Sequence, residues 1–197
     1  ITTTDSEVRR STVVGYQVAN EATLEWWGSH CGTGIVSLVD ESPYPEFNPP
    51  VKSVDKEYTK VGASITYTVK QVFPYTIDSN KAKSIVLTDT FNSVLNISNI
   101  THQVLDSEGN DVTSDWGKAV DGQKVTITYK GSDTKNVSGE YRFIFSKITV
   151  KESALTSESL ANLTEDGINY KLIPYIATIL ISSLDGTVDD KDTNEVI

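Results

Sequence analysis

The feature that most constrains this chain is its two-residue rhythm. Ile65, Tyr67 and Val69 fall on one face of an extended segment while Thr66, Thr68 and Lys70 take the other. Val125, Ile127 and Tyr129 repeat the device, with Thr126, Thr128 and Lys130 opposite. Such alternation marks half-buried antiparallel strands. Tyr141, Phe143 and Phe145 give a third case, after which the phase slips to Ile148 and Val150, which predicts a bulge near Ser146–Lys147. Ile85, Leu87, Asp89 and Phe91 read as a fourth strand, and Ile173 to Ile181 as the last. Thr, Val, Ile and Tyr fill these windows, as pleated surfaces favour.

Turn residues separate the strands: 107–111 (SEGND), Asp121-Gly122, 130–132 (KGS) and Asp185-Gly186. Only 152–163 (ESALTSESLANL) suits a helix, and its Ser content predicts one turn or two. The expectation is an all-β, antiparallel, immunoglobulin-like sandwich. Pro43, Pro45, Pro49 and Pro50 mark a stiff linker. They divide the chain into 1–47 and a sandwich domain over 48–197.

The shorter piece is explained by an internal repeat. Residues 18–24 (VANEATL) align with 173–179 (IPYIATI), and each runs on through a Gly-Thr into an acidic tail. Residues 1–47 therefore read as the closing strand of a preceding domain plus linker, a tandem arrangement suited to a stalk.

Composition removes several function classes. The 197 residues carry Lys+Arg 17 against Asp+Glu 27, a net charge of -10, and no basic cluster that would hold phosphates, so no nucleic-acid partner is expected. No apolar run reaches the roughly 18–20 residues of a membrane span, so no membrane insertion is expected in this segment. Met is absent, which suggests a piece of a longer protein. A single Cys and two His leave no disulfide framework, no zinc site and no His-based triad. No cofactor and no metal are expected.

Residues 50–56 (PVKSVDK), followed by 61–69 (VGASITYTV), 86–91 (VLTDTF) and a closing strand with the Asn-x-Ala pattern of Asn20-Glu21-Ala22, resemble the fimbrial isopeptide-forming domains of Gram-positive surface proteins, the collagen-adhesin A-like type. The resemblance covers most of 50–181. It implies an autocatalytic amide bond between a Lys of the first strand and an Asn of the last, formed beside a buried acid with loss of ammonia. Burial would keep the amine neutral and the carboxyl protonated. By this resemblance Lys52 is the nucleophile and Asp89 the acid. Periodicity places both on apolar faces independently, where a charge must be paired or shifted in pKa.

The electrophile is where this chain departs from the family. Tyr175 stands at the position equivalent to Asn20, and a phenol cannot lose ammonia. Asn169 lies in the same phase six residues earlier, with Pro174 between them. Two readings stay open: a bond through Asn169 or another Asn, or, the favoured one, a buried Lys52–Asp89 ion pair with the Tyr175 hydroxyl as third partner. The Lys for Asn20 would lie before residue 1 or on a neighbouring molecule.

Other readings weigh less. Cys31 with His30 or His102 makes a poor nucleophile pair, since neighbours on a strand face opposite ways. Acidic runs at 106–111 and 185–192 lack the spacing of a helix–loop–helix calcium site. Sequons at Asn96, Asn99, Asn136 and Asn162 raise a eukaryotic glycoprotein with an immunoglobulin-like domain, against which stands the lack of paired Cys. Trp26, Trp27 and Trp116 are candidate ligand platforms, with Trp26 in phase with the core. The expected function is a non-enzymatic stalk domain of a bacterial adhesin or pilus-like protein, extracellular and wall-anchored through its parent. Its partners would be neighbouring domains or fibre subunits, with recognition of a host protein or glycan as the alternative.

Overall fold

A computed structural model describes residues 21–26, 34–39, 44–76, 78–184 and 188–196, the first two segments through their backbone pairing. Strands β1 (Glu21–Trp26) and β2 (Gly34–Val39) form an antiparallel hairpin. The remaining strands build a two-sheet sandwich and a second small hairpin.

The first sheet holds β3 (Val51–Val54), β4 (Ser64–Phe73), β10 (Gly139–Val150) and β6 (Leu95–Asn96) in that order, with β7 (Thr101–Leu105) also paired to β10. The second runs β14 (Val188–Asp192), β13 (Ala177–Ser183), β5 (Ala82–Thr90), β9 (Lys124–Tyr129), β8 (Trp116–Asp121). Strands β11 (Ala161–Glu165) and β12 (Ile168–Leu172) make the separate hairpin. All pairings among named strands are antiparallel. The all-β expectation therefore holds, and among the described residues no helix reaches seven residues.

The period-two faces meet between the sheets. Ile65, Tyr67, Val69 and Phe73 of β4 and Tyr141, Phe143 and Phe145 of β10 face Ile85 and Leu87 of β5, Val125 and Ile127 of β9, and Ile179 and Ile181 of β13 across one continuous core. Burying each such side chain contributes about 1.5–3 kcal/mol. The bulge falls where the phase slipped: the β10–β4 register shifts between Phe145 and Ile148, and Lys147 takes a φ of 62°. That extra residue returns Ile148 and Val150 to the core face.

Three local expectations are corrected, and a fourth, the single helical turn within 152–163, is met. The Ile173–Ile181 strand is broken: β12 ends at Leu172, Pro174 intervenes, and Tyr175 makes an isolated bridge to Val196 before β13 begins. Within 152–163 only Glu152–Ala154 is helical, one 3-10 turn, and Ala161 already opens β11. Trp116 is core, edge-on to Phe143 with centroids 4.9 Å apart, and no ligand platform. The segment before Asn48 is more than a spacer: Tyr44 and Phe47 are buried in the sandwich core, and Gln71 Nε2 donates to the Asn48 carbonyl at 3.1 Å.

Candidate functional site

Strand β3 is four residues long at the edge of its sheet, and its alternation turns Val51 and Ser53 outward and Lys52 inward. Its ladder to β4 sets Lys52 opposite Val69. Across the core, Asp89 sits near the end of β5, opposite Ala177 of β13 and Val125 of β9. Lys52 Nζ reaches the carboxylate with both oxygens in range, 2.9 Å to Oδ2 and 3.1 Å to Oδ1, and both side chains are 0% exposed. The pair thus ties the two sheets together through the core.

Three aromatic rings enclose the ammonium. Its nitrogen lies 2.8 Å from the centroid of the Tyr175 ring, 5.1 Å from that of Tyr67 and 5.7 Å from that of Phe91. The rings pack on one another, with Tyr175 centroids 4.4 Å from Tyr67 and 4.8 Å from Phe91. A desolvated cation over an aromatic face is attracted by the ring quadrupole by about 2 kcal/mol. Pro174 contributes here by breaking the strand, and Tyr175 bridges to Val196 immediately before β13 begins.

Burial dominates the protonation chemistry. Desolvation pulls the Lys52 amine down to about 8, against the opposing pull of the Asp89 charge. Desolvation likewise raises Asp89, outweighing Lys52 and the nearby Tyr175 hydroxyl. The same burial pushes the Tyr175 phenol up. Both members of the pair are displaced toward their neutral forms. A neutral amine beside a protonated carboxyl is a nucleophile with a proton donor, and what it lacks is an electrophile.

The sequence-derived residues divide accordingly. Lys52, Asp89 and Tyr175 are brought together. Tyr175 meets the pair twice: its hydroxyl interacts with the Asp89 carboxylate, as expected, and its ring face also covers the ammonium. Asn169 is not brought to the pair. It lies exposed on the β11–β12 hairpin, its Oδ1 accepting from the Thr164 hydroxyl at 2.7 Å, because Pro174 separates that hairpin from β13. Asn20, His30, Cys31 and Trp27 lie outside the described residues, as does the Trp26 side chain.

One residue escaped the sequence reading. Asn194 uses its carboxamide as a one-residue strand: the Lys52 N–H donates to Oδ1 at 2.7 Å and Nδ2 donates to the Lys52 carbonyl at 3.1 Å. The Val196 and Thr193 N–H groups bond the Tyr175 and Ala177 carbonyls. The first strand is thereby joined to the C-terminal segment on the backbone as well as through the core. No motif announces a side-chain-to-backbone contact 142 residues apart in sequence.

Among the described residues no group of three or more His, Cys, Asp or Glu converges. The 106–111 acidic run is spent on its own loop: Asp106 accepts from the N–H groups of Glu108 and Asn110, and Asp111 from Thr113 N–H and Gln103 Nε2.

The sequence matches no protein-family model and no curated protein. The fold does find counterparts. It is similar to BcpA, the major pilin subunit of Bacillus cereus, with a TM-score of 0.57 and 21% identity over 77% of this chain and 39% of that one. It is similar to the major pilin SpaD of Corynebacterium diphtheriae, TM-score 0.58 and 20% identity over 75% of this chain and 34% of that one. The Actinomyces fimbrial adhesin FimA gives 0.50 and 19% over 75% of this chain and 55% of that one. The chain thus spans between a third and a little over half of these proteins, and at such identities the likeness is one of fold. It has the fold of Gram-positive pilin and fimbrial adhesin domains, as its sequence resemblance implied.

Proposed function

We propose that this chain is a structural segment of an extracellular pilus-like or adhesin protein, working as a load-bearing domain whose first and last strands are locked without a covalent bond. The role is mechanical rather than enzymatic. Neighbouring domains or other fibre subunits are its partners, and attachment to the cell wall runs through the parent protein. The fold shared with pilin and fimbrial adhesin domains supports the setting. The lock is supported by one observation above all: the Tyr175 ring lies over Lys52 Nζ, where the family resemblance places a carboxamide. The Lys52–Asp89 pair fills the space between the sheets, and Asn194 fastens the same residue from the backbone side.

Intact mass of the denatured full chain tests this reading. The expected mass is the sum of the residues. A mass short by one ammonia, with peptide mapping that joins Lys52 to an Asn, would replace the ionic lock with a covalent one.

A further inference from the structure

A second feature lies outside the Lys52 site. A groove of about 790 Å³ runs between the loop that follows β3 and the β11–β12 hairpin. That volume falls within the roughly 300–1,000 Å³ of ligand clefts. We propose that this groove binds an extended peptide strand that alternates apolar and acidic side chains. The inference is independent of the load-bearing role.

The shape of the walls argues for a strand. Residues 169–173 all line the groove in succession. Side chains of a strand alternate between faces, so successive lining residues mean that β12 borders the groove along its edge. On its other edge β12 pairs with β11, and among the described residues this edge has no ladder partner. It therefore offers a row of N–H and C=O groups to an incoming chain. The opposite wall, residues 56–61, belongs to no strand.

The side chains argue for the partner's chemistry. Tyr58, Val61, Leu155 and Leu163 are among the exposed large apolar residues of the domain, and all four line this groove. Its charged lining residues are Lys56, Lys60 and Lys171 against Glu57, a reversal of sign in a chain of net charge -10. Lys171 donates to the Ser157 carbonyl, which positions its ammonium and leaves further N–H donors for a carboxylate, and Lys56 donates to the Ser64 carbonyl while lying 3.8 Å from Asp55. Tyr58 fixes the width. Its hydroxyl donates to Glu165 at 2.7 Å and its ring packs on Tyr170 at 5.1 Å, so loop and hairpin are latched to each other.

The test is fluorescence anisotropy on the full chain with a labelled octapeptide of alternating Val and Glu. Roughly micromolar binding is expected, at least about tenfold weaker for the Val/Lys counterpart and for Lys171→Glu with Lys56→Glu, and unchanged for Lys83→Glu. Methylating alternate backbone nitrogens of the peptide should abolish binding. Equal affinity for the Val/Lys peptide, or full affinity after N-methylation, overturns the proposal. So does saturable uptake of dodecanoate by a chain that ignores the peptide. None of these outcomes bears on the intact-mass test of the lock.

Discussion

Lys52 and Asp89 are each displaced toward neutrality, and the sign of that displacement sets how stability depends on pH. A lysine whose folded pKa lies near 8 rather than 10.5 binds fewer protons when folded, so stability rises as pH climbs through that interval. The gain is about 3 kcal/mol. Asp89, raised by burial, binds more protons when folded, so its contribution is full at acid pH and falls as pH rises through its elevated pKa. Urea titrations should therefore show the native chain gaining stability, relative to Lys52→Met/Asp89→Leu, between about pH 8 and 10.5, and losing it where pH climbs through the raised Asp89 transition. A difference that stays flat from pH 4 to 10 would mean that the pair is solvated. Lys52→Met alone strands the acid and should cost about 3–5 kcal/mol at pH 7, most of which the double variant regains. Tyr175 separates ring from hydroxyl: Tyr175→Phe keeps the ring over the amine and removes only the hydroxyl's interaction with Asp89, so it should cost no more than about 1 kcal/mol. A larger loss would show that the hydroxyl, as the sequence suggested, is the working group.

At the scale of elements, the backbone of edge strand β3 has two attachments, its ladder to β4 and the Asn194 carboxamide, beside the Lys52–Asp89 pair in the core. Asn194→Ala removes both hydrogen bonds and leaves the Lys52 N–H without its partner, at a cost of about 1–3 kcal/mol. Amide exchange at Lys52 should accelerate, while exchange in the middle of β10 follows the global stability alone. Unchanged protection at Lys52 would mean that β3 is held by β4 by itself. These elements also show what the sequence could reveal. Period two exposed β4, β5, β9 and β10 because each has one face in a core, and the slip after Phe145 located the bulge because Lys147 adds one residue to the count. The inward Lys52 and Asp89 were legible for the same reason, as polar residues in an apolar phase. The β11–β12 hairpin was not, since its residues face solvent on most positions and carry no alternation. Its one sequence sign was Asp166-Gly167, a two-residue turn in which both residues have positive φ. The Asn194 contact was illegible because it depends on tertiary placement rather than on any local pattern.

For the molecule as a whole, the question is where tension enters. The chain arrives through Tyr44 and Phe47, which are anchored in the core, and leaves past Asn194, which is bonded to Lys52. Force applied to the two ends therefore converges on the Lys52 junction, after the Tyr44–Phe47 anchor on one side and the Val196–Tyr175 bridge on the other. If that junction is non-covalent, its rupture frees the sandwich to unravel completely, and single-molecule extension should release on the order of 500 Å of chain. The Tyr175→Asn variant puts a carboxamide where the ring now covers the amine. The family resemblance then implies that the Lys52 amine attacks it and ammonia leaves, joining residues 52 and 175. Such a molecule could extend only the segments outside that link, roughly a fifth of the native release at the same length per residue. Full extension in the native chain and truncated extension in the variant would identify residue 175 as what decides between an ionic and a covalent lock. Truncated extension in the native chain would show that its strands are already bonded, and the aromatic box would then be packing around a bond rather than a substitute for one.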